Sequence, residues 1–522
     1  MKDKIILTVD IGTQSTRVSF INSKGEILAL QQVKYRPPYF SKLPGFAEID
    51  PDDYIKYIGE GYRELIKKFP QGHEEAIGLA VTVFRDSTVM TKKDMVPLRP
   101  AILWLDQRSA SGKEKFPLWK KALFKLVGAY DIVNLNRVRT HAQWVKEYEP
   151  DIWKQVERYM NVSTYINYKL TGNFNDSDAN IIGHLPADYP NRKWLKNNND
   201  LVGSIYGVDV HMLCDLVPAG GILGQVTKEA SEATGIKEGL TVYAIGSDKG
   251  CETLGVGAFD NTVGAVSFGT SATIQVTNKK FVRPGPLMPA YPAIIDGYFN
   301  TETMVNKGYW MLGWFAREFA QKDIEIAKSQ GKSVEELLNE SLKTVRPGSE
   351  GLMLSPLWGP TLKKPLALGS ITGFGENHKK EHFYRAIIEG INYELKEGLL
   401  TIEKNQKQKL TSLMVSGGGS QCDEICQITA DIFGLPVSRT QTNETTSIGA
   451  ALAGFLAAKV FEKPEDAVKA MVHVTKTFEP IKENVELYKY YFAEFEKIYP
   501  ANKKNLATIK IHEEIIDKES RK

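Results

Sequence analysis

Residues 5–10, IILTVD, form a short apolar run closed by an acid, and 75–82, 241–245 and 264–268 repeat that form, each an apolar or β-branched stretch bounded by Gly, Thr or Asp. Runs of this length and composition read as buried strands. Between them the apolar positions return with a helical period. In 51–68, which follows Asp50, Tyr54, Ile55, Ile58, Tyr62 and Ile66 recur at mostly three- and four-residue intervals, and Phe383, Ile387, Ile388, Ile391, Leu395 and Leu399 form a similar stripe in 382–403. Such spacing predicts helices with one apolar face. Strands alternating with helices place the chain in the α/β class.

Two stretches far apart share one pattern. ILTVDIGTQSTRVSFIN (6–22) and VGAVSFGTSATIQVTN (263–278) each run from an apolar strand through Gly-Thr and a Ser into a second alternating strand. Two hairpins with the same turn chemistry predict two similarly built halves meeting over a cleft, and the Gly-rich 246–259 reads as the hinge between them. The expected domains are 1–255 and 256–460, followed by a helical extension over 461–522 whose end, from about Lys482, is Lys/Glu-rich.

Composition narrows the class further. The 522 residues are 42% hydrophobic and 25% charged, with a net charge of only +3. That length asks for at least two cores, and that balance points to neither nucleic acid nor membrane. No apolar leader opens the chain and no apolar run reaches the roughly 18 residues of a membrane span, so a cytoplasmic protein is expected. Cys214, Cys251, Cys422 and Cys426 are too few for a disulfide framework, and the Cys422/Cys426 pair lacks companions at zinc spacing. Gly331-Lys332-Ser333 ends like a phosphate-binding P-loop, but Ile326 stands where such a loop needs its first Gly.

The turns carry the candidate chemistry. Gly12 suits a positive φ and close approach of backbone amides, while Thr13, Ser15 and Thr16 offer hydroxyls and Arg17 a planar cationic fork. Asp10 repels phosphate, yet it can anchor a hydrated Mg²⁺ between phosphates; an Asx-turn in a plain hairpin is the alternative. Gly269, Thr270 and Ser271 would grip the other side of a triphosphate. In 413–437, Gly417-Gly418-Gly419 lead from an apolar run into a helix, which suits a nucleotide base and ribose at a helix N-terminus.

Taken together, DIGTQSTR (10–17), PGFAEIDPDDY (44–54), RPAILWLDQR (99–108), IGSDKG (245–250), SFGTSATI (267–274), YRAIIEGINYEL (384–395), SGGGSQCDEICQITADIFGLPV (416–437) and NETTSIGAAL (443–452) resemble the FGGY carbohydrate kinase family, within the sugar kinase and actin-like ATPase superfamily. The resemblance implies an α/β fold of two ribonuclease-H-like domains around a central cleft. It implies ATP and Mg²⁺ as cofactors, with Asp10 organising the metal and Thr13, Gln14, Ser15, Arg17, Gly269 and Thr270 holding phosphates. Gly418 and Gly419 would lie against the adenosine, and Asp248 would be the general base that takes the proton of the attacking hydroxyl. Phosphoryl transfer of this kind needs in-line positioning, a cation and one proton acceptor.

On the sugar side, Arg85 and Asp86 can donate to one hydroxyl and accept from its neighbour, and Trp104 and Asp106 are further pocket candidates. The Arg-acid pair resembles glycerol kinases and RPAILW xylulokinases. A ketopentose such as xylulose is the expected substrate, with glycerol or another small polyol as the alternative and an actin-like nucleotide switch as the rival of another class. The chain departs from the family pattern at His141, at Ser163 and Thr164, and in LWGPTLKKP (357–365). The first two put the substrate wall in question. A small sugar or polyol is the expected partner; a homodimer is the assembly left open.

Overall fold

A computed structural model describes residues 3–112, 117–126, 130–196, 203–285, 288–359, 361, 364 and 366–520. Among these residues two large sheets share one plan. In the first, Ile5–Ile11 pairs antiparallel with Ser15–Asn22 and parallel with Ala76–Val83. Ile27–Lys34 extends the antiparallel side, and Thr241–Tyr243 then Ile222–Gln225 extend the parallel side, which gives six strands. In the second, Val263–Phe268 pairs antiparallel with Ala272–Asn278 and parallel with Ser412–Ser416. Phe299–Val305 and Tyr291–Pro292 continue one side, Val437–Thr440 and Val474–Phe478 the other, which gives seven. The two hairpins seen in the sequence are therefore the same hairpin in two copies of one ribonuclease-H-like sheet.

Every residue of Ile5–Ile11 is buried. A central strand with helices on both faces has no solvent side to alternate toward, so it reads as a continuous apolar run. Asp53–Lys68 covers one face of this sheet through Tyr54, Ile58, Tyr62 and Leu65. The second half packs around Lys380–Gln406, where the RAIIEG motif is structural. Arg385 donates to Glu389 at 2.7 Å, to two backbone carbonyls and to Tyr488, while Gly390 lies where a Cβ would stand 2.2 Å from the Leu354 carbonyl oxygen.

The expected hinge is mostly a helix, Asp248–Gly255, packed against Thr445–Ala457. A Cβ on Gly255 would fall 1.8 Å from the Thr445 carbonyl oxygen, and one on Gly449 1.8 Å from that of Cys251. The glycines thus serve backbone-to-backbone packing. Around this pair Ile6, Ile21, Ile245, Leu254, Ile448, Leu452 and Phe455 form a core that joins the halves. The helical extension expected over 461–522 is likewise integral: Val474–Phe478 edges the second sheet, and Tyr488, Phe492 and Phe495 of Lys482–Ser520 enter its core.

A smaller four-stranded sheet of Glu48–Ile49, Ala101–Ile102, Thr88–Thr91 and Arg158–Asn161 sits beside the first and carries the sugar-side candidates at its margins. Ser333, from the rejected P-loop lookalike, caps the helix Val334–Ser341 in a capping box with Glu336. No helix among the described residues is long and apolar enough to cross a membrane.

Candidate active site

Asp10 stands one residue short of the end of the opening strand, opposite Arg17 across the hairpin. It is 6% exposed, and burial pushes its carboxyl up to about 7 despite the Arg17 guanidinium 3.9 Å away, with Asp248, Glu444 and Glu252 adding repulsion. A lone carboxylate held among acids fits a site completed by a divalent cation. Gly12 holds the turn through its amide, which donates to Ser15 O at 3.0 Å. Its φ lies outside the positive region, contrary to expectation, and a Cβ there would stand 3.4 Å from that same oxygen. Thr13 Oγ1 accepts from the Trp104 indole at 2.9 Å, Ser15 is buried and accepts from Gln32, and Gln14 is exposed. Arg17 Nε lies 3.0 Å from Glu444 at the start of Thr445–Ala457, so the first turn is tied to the second half.

The other turns converge on the same place. Gly269 and Thr270 follow the end of Val263–Phe268, with Thr270 exposed. Gly417, at φ +78°, lies against that turn, where a Cβ would meet Phe268 O at 2.8 Å and Gly269 N at 3.2 Å. A Cβ on Gly418 would find nothing within 4 Å, so its backbone stays open to a flat ligand, whereas Gly419 packs inward on Tyr309 and Phe268.

Asp248 begins the Asp248–Gly255 helix behind the capping Ser247. Burial raises its carboxyl above the usual range, with Lys249 and Arg85 opposing. Arg85 reaches across from the first half, its Nη2 3.0 Å from Glu302 Oε1, and its guanidinium lies 5.6 Å from the Tyr291 ring centre. Asp86 stands at φ +56°, where non-Gly residues are uncommon, and His184 donates to it from its backbone amide at 2.9 Å and meets it through Nδ1 at 2.8 Å. Against the effect of burial, His184 holds the Asp86 carboxyl below its usual range, and Asp86 in turn raises His184.

Of the remaining candidates, Asp106, Ser163, Thr164 and His141 are taken up by internal bonds, whereas Trp104 borders the first turn. The Asp106 side chain is fully covered, and its two oxygens accept from Arg108 and from the Ala47 amide. It braces the 44–48 corner and has no oxygen left for a sugar. Trp104 is 41% exposed and free to form a wall. Ser163 and Thr164 both donate to the buried Asp176 at 2.7 Å, which explains that departure as internal bonding. His141 meets Thr88 at 2.9 Å, and burial lowers its pKa to about 4, so it stays neutral.

Sequence reasoning overlooked Lys249, Glu252, His184, Tyr291, Glu302 and Glu444. Lys249 and Glu252 were legible as a helical i, i+3 pair beside Asp248. His184, Tyr291 and Glu302 gave no local signal because only tertiary folding brings them to the cleft.

Duplicated ribonuclease-H-like halves, joined at their central helices and facing one another with glycine turns and acids, define the sugar kinase and actin-like ATPase class. The N-terminal domain of the FGGY family of carbohydrate kinases matches residues 5–255 and its C-terminal domain residues 264–458, and the chain belongs to that family. It is an ATP-dependent carbohydrate kinase. The "Uncharacterized sugar kinase YgcE" of Escherichia coli (strain K12) is 28% identical over 494 residues, 94% of this chain and 92% of its own. Xylulose kinase of Staphylococcus epidermidis (strain ATCC 12228) is 27% identical over 519 residues, 98% and 99% of the two chains. The fold matches the crystal structure of ligand-bound xylulose kinase from Lactobacillus acidophilus with a TM-score of 0.81 at 20% identity, over 97% of this chain and 100% of that one.

Proposed function

We propose that the chain phosphorylates a hydroxyl of a ketopentose, xylulose being the first candidate, with Asp248 as general base. The observation that carries this reading is the placement of Asp248: a helix-starting carboxylate of raised proton affinity, beside Arg85 from the sugar half and electrostatically coupled to Asp10. A base that titrates closer to neutrality accepts a hydroxyl proton more readily than an ordinary carboxylate.

The charge balance favours a neutral sugar. Arg85 is matched by Glu302 and His184 by Asp86, so an anionic substrate would have to break a pair to find a counter-charge. The Staphylococcus epidermidis relative is a xylulose kinase. Trp104 offers an apolar wall for sugar C–H groups, and Asp86 an acceptor fixed by His184.

Mg²⁺·ATP, when bound, supplies the phosphoryl group and the cation that offsets its charge. Asp10 is suited to orient the metal's water shell, and Thr13, Ser15, Gly269 and Thr270 to line the phosphates. Closure of the halves over bound substrates would keep water from the transfer. The unpaired thiols of Cys214, Cys251, Cys422 and Cys426 and the use of ATP fit the cytoplasm.

Coupled ADP release measured across ketopentoses, aldohexoses, glycerol and tetritols tests the substrate; we expect the highest kcat/KM for a ketopentose, and a preference for glycerol would overturn it. Asp248→Asn should lower kcat by roughly 10³-fold or more while nucleotide affinity holds, on the scale of losing a positioned acid–base group. Unchanged turnover removes Asp248 from the role of base.

A further inference from the structure

Lys249 follows Asp248 on the first turn of Asp248–Gly255. Its Nζ lies 2.6 Å from Glu252 Oε2 and 2.8 Å from Ser267 Oγ. The other Glu252 oxygen accepts from Ser267 and from Ser416, each at 2.7 Å. Ser267 is one residue short of the end of Val263–Phe268, and Ser416 ends Ser412–Ser416. One ion pair thus fastens the helix that starts with Asp248 to the two strand ends that lead into Gly269–Thr270 and Gly417–Gly419. The Nζ also lies 4.0 Å from where a Cβ on Gly269 would stand, which puts the ammonium beside the phosphate turn of the second half.

A purely structural clip would be better hidden. Lys249 keeps 20% of its side-chain exposure and Glu252 12%, and the bonds found among the described residues use two of the three ammonium donors. Burial disfavours the ammonium, but Glu252 and Asp248 outweigh it and keep Lys249 charged.

We propose that Lys249 is a catalytic cation of the phosphoryl transfer, its free N–H meeting the γ-phosphoryl oxygens of a nucleoside triphosphate laid along Gly269–Thr270 while Glu252, Ser267 and Ser416 hold it in place. The assignment rests on the kinase reading of this site. In the step it serves, the bond from the γ-phosphorus to the bridging oxygen breaks and its electron pair leaves with the diphosphate. The sugar oxygen forms the new bond to phosphorus and its proton passes to Asp248. Lys249 keeps its own proton and offsets the charge on the equatorial oxygens, which is worth most where a fixed cation needs no reorganisation.

The test compares Mg²⁺ complexes of ADP and of a non-hydrolysable ATP analogue, titrated calorimetrically into the full chain. Lys249→Met should weaken the triphosphate by about 10-fold or more, the scale of one charge-assisted hydrogen bond, and leave ADP within about twofold. Its kcat should fall about 10²–10³-fold with sugar KM little changed, and Lys249→Arg should recover part of the loss. Equal weakening of both nucleotides, or an unaltered preference between them, overturns the proposal. Because Lys249→Met strands Glu252, the Lys249→Met/Glu252→Gln pair repeats the comparison in a charge-matched background. Asp248→Asn should retain the triphosphate preference; a wild type that binds neither nucleotide overturns the proposal together with the reading of this site on which it rests.

Discussion

Asp10 is costly to keep. Its carboxyl, raised to about 7 by burial and by neighbouring acids, prefers a proton that the same group in the unfolded chain would have lost near the ordinary carboxylate value of 3.8. A carboxyl raised in the folded state stabilises the fold fully below the unfolded value, and that contribution is lost as pH climbs through the folded one. Between pH 4 and pH 8 the nucleotide-free enzyme should therefore lose stability that Asp10→Asn, which carries no charge, retains. We expect matched melting midpoints at pH 4 and a variant more stable by roughly 2–5 °C at pH 8. Mg²⁺·ADP should raise the midpoint of the wild type alone. A difference that does not change with pH assigns the strain to another residue. The place of Asp10 beside the turn was legible because a carboxylate near the end of an apolar strand is conspicuous. Asp106 and Ser163 were not: whether such a side chain faces substrate or a buried partner depends on contacts such as Arg108 and Asp176, which no local pattern encodes.

At the scale of elements, the strongest constraint is the contact between Asp248–Gly255 and Thr445–Ala457. Backbones approach this closely only where both helices present glycine, and a methyl group in that seam has nowhere to go. Gly449→Ala should cost about 1–3 kcal/mol, the usual range for overpacking, and shift Asp248 with the helix it begins, so that thermal stability and kcat fall together. Gly313, inside Trp310–Phe319, would bring a Cβ no closer than 3.5 Å to anything but its own surroundings, at Arg317. There Gly→Ala should be neutral or gain about 0.5–1 kcal/mol from helix propensity. Circular dichroism melts and ADP release on the two variants make the comparison, and equal effects would contradict the packing argument. The duplicated hairpins were readable in the sequence because turn chemistry is local. The seam reads as a hinge in the sequence because glycine marks flexible turns and close helix contacts alike, and only the partner helix reveals the packing. The edge strand Val474–Phe478 was missed for a related reason: four of its five residues are exposed, so it lacks the apolar signature of a central strand.

At the scale of the molecule, three arginines of the first half reach into the second. Arg17 meets Glu444, Arg85 meets Glu302, and Arg192 donates to the backbone carbonyls of Ala293 and Tyr298. Two of these stand at the site itself, so the electrostatics of the cleft and the arrangement of the halves are one property. Glu302 is the more informative partner: its side chain is 7% exposed, and it also accepts from Gln275, which in turn accepts from Thr253 of the Asp248–Gly255 helix. Removing its charge leaves Arg85, in a mostly covered position, with Asp248 as its remaining counter-charge, and breaking an ion pair there costs several times what it does at the surface. An apolar core joins the halves at the helix seam, so relative motion opens them on the substrate side, where this pair opposes it. Glu302→Gln should therefore enlarge the radius of gyration of the ligand-free enzyme in solution scattering. It should raise the sugar KM about 10-fold, while saturating sugar and Mg²⁺·ADP restore the wild-type scattering profile. The thermal midpoint should drop as well, because Arg85 stays in its mostly covered position without its partner. Scattering and KM that both match wild type would mean that the apolar core around Ile6, Ile448 and Phe455 alone fixes how the halves sit, and that Arg85 is held by Glu302 for the sugar rather than for closure.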